Sequence, residues 1–228
     1  MLKIKWYFII LIAFLFIISC NYSLKEKKVS EIQLEEITIE QLHEGYKTGK
    51  FTIREVVKAY LDRIESFDRN GLKLNSVITV NPDALQIAEE LDKNMHDISK
   101  QGPLYGIPVL LKDNIDTHDK MPCTAGSRAL KNSFPLKDSY VARKLREAGA
   151  VILGKTNLSE WANFRGELST SGWSGLGGQT RNPYDPNRNP CGSSSGSGVA
   201  VSANFCVIGI GTETNGSIVC PSHANGIV

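Results

Sequence analysis

Two short polar turns carry the hydroxyl groups of this 228-residue chain that could perform nucleophilic chemistry. Residues 192–198 form a Gly/Ser run that holds four serines and three glycines. A second turn, Gly211-Thr-Glu-Thr-Asn-Gly-Ser217, follows one apolar segment later. A Gly/Ser run by itself is typical of a flexible linker, but a linker needs neither the apolar segment nor the second turn. Since glycine permits tight turns, the pattern predicts two turns whose hydroxyls meet at the two ends of one packed segment.

A lysine at the end of a predicted buried strand is the candidate base. Residues 107–111 form a continuous apolar run, and Lys112 follows directly. In an apolar site, desolvation disfavours the ammonium form, and the neutral amine can then accept a proton. A lysine at a strand end is more commonly exposed to solvent, and these residues alone leave both interpretations open.

The elements that must position these residues alternate between strands and helices. This order is typical of an α/β domain with a mixed, largely parallel central sheet flanked by helices. Residues 166–190 are predicted to form a long irregular loop of the kind that often carries function. Apolar spacing and capping residues predict strands at 77–80, 107–111, 151–153 and 206–210. They predict helices at 39–48, 53–67, 83–99, 138–148, 157–164 and 194–203, and one from near Ser217.

The N-terminus has the pattern of an export signal. Lys3 and Lys5 precede an apolar run at 6–18 that ends in Ser19-Cys20. The run is about 13 residues, whereas a membrane span needs about 20, so an uncleaved anchor is the weaker alternative. Residues 17–20 resemble a bacterial lipobox, which implies cleavage before Cys20 and lipid attachment to its thiol. We therefore expect an exported, membrane-anchored lipoprotein with a signal peptide at 1–19, a tether at 20–36 and a folded domain at 37–228.

Composition and cysteine spacing exclude several classes of protein. The formal net charge of +2 is accounted for by Lys3 and Lys5, so no basic field remains to suggest nucleic-acid binding. Hydrophobic and charged contents of 41% and 22% are those of an ordinary globular protein. The cysteines beyond Cys20 form no metal-ligand spacing, and their even number in an exported chain leaves a disulfide open: Cys123, Cys191, Cys206 and Cys220.

Three segments, taken in order, resemble the amidase signature family. Residues 106–114, Gly-Ile-Pro-Val-Leu-Leu-Lys-Asp-Asn, resemble the family's lysine strand. Residues 191–197, Cys-Gly-Ser-Ser-Ser-Gly-Ser, resemble its serine run. Residues 211–218, Gly-Thr-Glu-Thr-Asn-Gly-Ser-Ile, resemble its nucleophile turn, in wording closest to the peptide-amidase-like branch.

The resemblance implies a role for each matching residue. Ser217 would be the nucleophile, Ser193 a bridging serine after a cis peptide bond, and Lys112 the base of an amidase that needs no metal or cofactor. The substrate would be a small-molecule or peptide amide. Backbone N–H groups would form the oxyanion hole together with that of the nucleophile itself: Thr214, Asn215 and Gly216.

Several positions depart from the family pattern. Cys191 and Ser195 stand where the serine run usually has glycines, and Asn215 replaces the first glycine before the nucleophile. Val219 occupies the place of a common arginine, which leaves the anchoring of the nucleophile turn open. Family members are longer than this chain, so we expect it to be the N-terminal part of such a domain. Two alternatives stay open: a protein like the A subunit of glutamyl-tRNA amidotransferase, and a non-catalytic surface lipoprotein that keeps the fold.

Overall fold

A four-stranded sheet lies at the centre of the computed structural model, which describes residues 32–98 and 101–228. Leu34–Val228 form one compact unit. The predicted signal peptide, Cys20 and the tether as far as residue 31 lie outside the described residues. Every helix in those two ranges is too short or too polar to span a bilayer.

The central sheet is mixed and largely parallel, which confirms the predicted fold class. Its strands lie in the order β1-β3-β2-β6. β2 is parallel to both β3 and β6, whereas β1 is antiparallel to β3. All residues of β2 and β3 are buried, which explains the apolar run with which each strand begins. The strands are β1 (Val77–Val80), β2 (Pro108–Lys112), β3 (Val151–Thr156), β4 (Trp173–Ser174), β5 (Gly178–Gln179) and β6 (Ile208–Ile210).

Six α-helices surround this sheet in the described ranges. Thr38 and Thr52 each form a capping box, which fixes the first turn of the two helices that follow them. The helices are α1 (Ile39–Lys47), α2 (Ile53–Arg63), α3 (Ala84–Asn94), α4 (Tyr140–Glu147), α5 (Ser195–Ser202) and α6 (Val219–Ala224). Shorter helical segments are a π-helix at Ile64–Asn70 and 3₁₀ turns at Arg128–Leu130 and Glu160–Asn163.

Four of the predicted elements differ most from the observed ones. The predicted helix 53–67 changes to π-helix at Ile64, and the predicted helix 83–99 ends at Asn94 because Met95 takes an extended ψ of 84°. The predicted helix 157–164 is only a 3₁₀ turn, since Trp161 and Ala162 adopt left-handed backbone conformations. The predicted loop 166–190 contains the small antiparallel hairpin of β4 and β5.

Small residues allow α5 to approach the rest of the fold closely. Residues 195–200, the first six of this helix, are buried. A side chain on Gly196 would collide with the carbonyl oxygen of Ser76 and with the main chain of Asn157. The Gly/Ser run is therefore a packed helix start, and the linker interpretation is wrong.

Candidate active site

Lys112 lies at the C-terminal end of the central strand β2, and its side chain is completely buried. Its Nζ lies 2.8 Å from Ser193 Oγ and 3.2 Å from the carbonyl oxygen of Thr212. The strand end therefore aims the amine at both polar turns that the sequence singled out.

Ser193 links the lysine to the second serine. It follows a cis peptide bond from Gly192 and lies just before the start of α5. Its Oγ lies 3.0 Å from Ser217 Oγ, just before α6. The structure thus brings together Lys112, Ser193 and Ser217, and each link is within hydrogen-bond reach.

Burial changes the acid–base chemistry of the lysine. Removal from water lowers the pKa of Lys112 to about 8, because the ammonium form loses its solvation. The negative charge of Glu213 acts in the opposite direction and raises the same pKa. A substantial neutral fraction is therefore available near pH 8, as general-base chemistry requires.

Ser194 ties the two turns together through the main chain. Its N–H donates to the carbonyl oxygen of Ser217 at 3.1 Å, and its Oγ donates to that of Thr212, also at 3.1 Å. The N–H of Thr212 donates back to Ser194 Oγ at 3.2 Å. Asn114 adds a side-chain bond to Thr212 Oγ1 at 3.0 Å. Ser194, next to the predicted bridging serine, therefore holds the two turns together.

The carboxylate of Glu213 holds the nucleophile turn through hydrogen bonds to main-chain N–H groups. Its carboxylate accepts the N–H groups of Gly216, Ile218 and Val219 at 2.8, 2.6 and 2.9 Å. These backbone hydrogen bonds lower the pKa of Glu213, and the bond from Val219 has the largest effect on it. They supply the anchoring that the sequence left open at Val219.

One of the candidate oxyanion donors already has an acceptor within the nucleophile turn, and the others do not. The N–H of Gly216, one of the predicted donors, is directed to Glu213 Oε1 in this structure. In the described part of the chain, three neighbouring N–H groups have no protein acceptor and remain available: those of Thr214, Asn215 and Ser217.

A disulfide joins Cys191 to Cys220, with their Cα atoms 5.7 Å apart. It answers the question that cysteine spacing alone left open. Cys206 is a free, buried thiol before β6, and Cys123 is a half-buried free thiol.

A cavity of about 490 Å³ opens over the serines. Phe164, which is 86% exposed, is part of its wall, and Glu213 is the one charged residue there among the described residues. None of the chain's four histidines lines it. The wall consists of Asn114, Ala162, Asn163, Phe164, Gly192, Ser193, Thr212, Glu213, Thr214, Asn215 and Ser217.

Two contributors near the site have no motif that would reveal them from the sequence. Lys155 on β3 is fully buried, donates to the carbonyl oxygen of Ile115, and has its pKa lowered by burial. Asn157 connects the segment before β1 to the end of the β4–β5 hairpin, since its Nδ2 donates to the carbonyl oxygens of Asn75 and Gly178 and to Thr180 Oγ1. Across residues 32–98 and 101–228, no group of three His, Cys, Asp or Glu could hold a metal ion.

Comparisons with known sequences and solved structures find amidases and amidotransferase A subunits. The chain is 45% identical to a putative amidase of Schizosaccharomyces pombe over 201 residues, 88% of this chain and 34% of that protein. It is 37% identical over 198 residues to the A subunit of glutamyl-tRNA(Gln) amidotransferase from Alkaliphilus metalliredigens, covering 86% of this chain and 38% of the relative. The solved peptide amidase of Stenotrophomonas maltophilia superposes with a TM-score of 0.81 at 54% identity, over 84% of this chain and 39% of that one.

These matches show which family the chain belongs to. They cover only part of each relative. The chain spans between 34% and 39% of the length of the proteins just named. The Amidase family model matches residues 55–228, a range that includes the lysine strand and both serine turns. On this basis, the chain belongs to the amidase family.

Proposed function

We propose that the protein containing this chain hydrolyses carboxamide C–N bonds through an acyl-enzyme on Ser217. The observation that carries the proposal is the continuous path from Lys112 Nζ to Ser193 Oγ, 2.8 Å, and on to Ser217 Oγ, 3.0 Å. A serine hydroxyl is a weak nucleophile unless a base lies within reach. This path supplies that base without a histidine.

The proton path follows from the hydrogen-bond directions. With Lys112 protonated, its amine donates to Ser193, which donates to Ser217. When Lys112 is neutral, both bonds can reverse, because a hydroxyl both donates and accepts. Ser217 Oγ then attacks the amide carbon as its proton passes to Ser193, and the Ser193 proton passes to Lys112.

The later steps return the proton. The carbonyl oxygen becomes an oxyanion, for which the free N–H groups of Thr214, Asn215 and Ser217 are the available donors; one such donor is worth about 3 kcal/mol. The C–N bond breaks as the nitrogen takes a proton that the lysine had received. Water then attacks the ester, and Ser217 regains its hydrogen through the same relay.

The substrate class follows from the relatives and from the cavity wall. The similarity to the peptide amidase of S. maltophilia favours peptide or small-molecule amides. Among the residues that the structure describes, the wall contains no lysine or arginine that would pair with a carboxylate, and its one charged residue, Glu213, is acidic. We therefore infer that neutral amides are preferred over acidic ones.

The test is release of ammonia or amine by protein expressed from the complete open reading frame. The panel contains peptide amides, aliphatic amides and aryl amides. We expect turnover of at least one class and its loss in Ser217→Ala. Ser222→Ala, on α6 and outside the relay, is the matched control and should keep wild-type activity. Turnover that survives Ser217→Ala would contradict the mechanism, and no turnover of any amide would favour the non-catalytic lipoprotein.

A role like that of the amidotransferase A subunit is the second candidate, because the A subunit from A. metalliredigens is 37% identical to this chain. The proposed export argues against it, since charged tRNA is cytosolic. Glutamine in the substrate panel distinguishes the two. Glutamine hydrolysis that greatly exceeds hydrolysis of every other amide would favour the amidotransferase-like function.

We further propose that the protein is exported and anchored to a membrane through lipid on Cys20. The support is the order of charged, apolar and small residues in 1–20. One acyl chain gives only marginal binding, so several acyl groups are expected. Mass spectrometry of the mature N-terminus is the test, and an intact Met1 or an unmodified Cys20 would contradict it.

A further inference from the structure

The Cys191–Cys220 disulfide brackets the two serines of the relay. Cys191 lies two residues before Ser193, and Cys220 lies three residues after Ser217, in the first turn of α6. The cross-link therefore joins the outer ends of the two turns in sequence, Cys191 and Cys220, whereas the relay joins Ser193 to Ser217 between them.

Cys191 has an unfavourable backbone conformation for its residue type. Its φ is +57°, in the left-handed region that glycine adopts easily and residues with a Cβ avoid. Its N–H donates to Asn189 Oδ1 at 2.8 Å, and its carbonyl oxygen accepts from Ser195 Oγ at 2.5 Å. A glycine would satisfy the same main-chain contacts without strain. A local rule broken in this way calls for a compensating gain, and the covalent bond to Cys220 is one.

Fewer non-covalent contacts hold the outer ends of the two turns, near Cys191 and Cys220, than hold the main chain beside the two relay serines. The bonds of Ser194 to Ser217 and Thr212 fix that main chain. Glu213, which holds the nucleophile turn, is exposed and makes its contacts within that turn. At the outer ends, Asn225 Nδ2 bridges the carbonyl oxygens of Pro190 and Pro221 at 2.9 and 2.7 Å. Among the described residues, the disulfide is the one covalent tie between the turns.

We propose that Cys191 and Cys220 are positioning residues for the Ser193–Ser217 contact, so that reduction of their disulfide slows acylation of Ser217. The inference rests on the proposed amidase function. Without the cross-link, only the hydrogen bonds to Asn189 and Ser195 hold Cys191 in its left-handed conformation, and any departure from it moves the peptide that carries Ser193. Small displacements of reacting groups have large effects on rate.

The redox step needs an external dithiol. A reductant such as dithiothreitol gives two electrons and two protons, the S–S bond breaks into two thiols, and the reductant's own sulfurs join in a disulfide. Cys220 is exposed and Cys191 is half-buried, so the bond is accessible from solvent. A disulfide persists in oxidising compartments, which agrees with the proposed export.

The experiment compares oxidised wild-type protein, reduced wild-type protein and the Cys191→Ser/Cys220→Ser double variant, all from the complete open reading frame. The readouts are kcat and KM for a peptide amide, measured well below the melting temperature, with thiols counted by alkylation and mass spectrometry. We expect kcat to fall at least about tenfold in the reduced protein and the double variant, with KM little changed. Reoxidation should restore wild-type activity, and dithiothreitol should not affect the double variant.

Cys206→Ala is the control for a merely structural effect. It removes a buried thiol outside the disulfide, so it should lower the melting temperature without lowering kcat. Since the double variant can fail to fold, the rate at which a fluorophosphonate labels Ser217 during stepwise reduction of wild-type protein gives a second reading. Equal kcat and labelling rates with and without the disulfide would overturn this inference alone. An oxidised protein without any amide turnover would overturn the proposed function and this inference with it.

Discussion

At the scale of single residues, Lys112 combines a proposed catalytic role with an energetic cost. Its amine is enclosed at the end of β2, where hydrogen bonds to Ser193 and Thr212 only partly replace water. A lysine in the unfolded chain has a pKa of about 10.4, whereas in the folded chain that pKa is about 8. Below pH 8 the folded state therefore bears the full penalty of a buried ammonium group.

We predict that Lys112→Met abolishes amide turnover and stabilises the fold. At pH 7 the free energy of unfolding should rise by about 1–3 kcal/mol. Because the unfolded wild type binds more protons between the two pKa values, its stability rises as pH increases from about 8 to about 10.4. The advantage of the variant should shrink over that interval. Urea unfolding at pH 7 and pH 10 measures both effects, with the exposed Lys131→Met as control, and a destabilised Lys112→Met protein would contradict this account.

The pH dependence of activity should report the same group. In the proposed mechanism neutral Lys112 is the competent form, so kcat/KM should rise with pH through an apparent pKa of about 8. A pH–rate profile from pH 5.5 to 9.5 on a neutral amide measures the limb. Activity that is flat from pH 6 to 9 would show that another group is the base.

Glu213→Gln should move that limb. The carboxylate raises the pKa of Lys112, so its removal shifts the limb to lower pH. The nucleophile turn also loses charged acceptors for Gly216, Ile218 and Val219, and we expect kcat to fall about tenfold. Profiles of both proteins under identical conditions test this, and a limb that stays in place or moves to higher pH would refute it.

The sequence predicted the positions of the proposed reacting residues better than those of the groups that hold them. Lys112, Ser193 and Ser217 lie in recognisable motifs, and the folded chain brings all three together. Lys112 binds the main-chain carbonyl of Thr212, and a main-chain group cannot be predicted from the residue type. The contacts of Glu213 depend on the main-chain conformation of the turn, which the sequence does not reveal. The pairing of Cys191 with Cys220 likewise depends on where α6 begins.

At the scale of elements, the start of α5 shows why glycine is needed in this helix. Gly196 lies against the main chain of Ser76 and Asn157, which also join β1 and β3 to the loops beyond them. This close approach places Ser193 over the end of β2. Helix propensity alone would favour alanine at such a position, so packing decides the residue.

We predict that Gly196→Ala destabilises the fold by at least about 2 kcal/mol, because the added methyl collides with main-chain atoms that cannot move alone. Gly166→Ala, where a side chain would meet open space, should change stability by less than about 0.5 kcal/mol. Thermal or urea unfolding of both variants measures the difference. Equal stability of the two would contradict the packing described for α5.

Element boundaries were harder to predict than element types. The buried strands follow from continuous apolar runs, and the starts of α1 and α2 follow from their capping boxes. The ends of α2 and α3 do not follow from periodicity. From Ile64 onward the helix continues as a π-helix. After Asn94 the chain leaves the helical conformation at Met95, although the apolar spacing continues.

At the scale of the whole molecule, the site is assembled from three distant parts of the chain. β2 contributes Lys112, the proposed base, the turn before α5 contributes Ser193, and the turn before α6 contributes Ser217, the proposed nucleophile. The parallel arrangement of β3, β2 and β6 brings their C-terminal ends to one edge of the sheet, where ligands commonly bind in open α/β sheets.

The central claim is that Ser217 is acylated with the help of Lys112. The most direct measurement is mass spectrometry of rapidly quenched protein, from the complete open reading frame, during turnover of an activated aryl amide. The account predicts one acyl group per chain, mapped by peptide digestion to Ser217, and a strongly reduced rate of its appearance in Lys112→Met. An acyl group on Ser193, or amide turnover without any acyl group on Ser217, would contradict it.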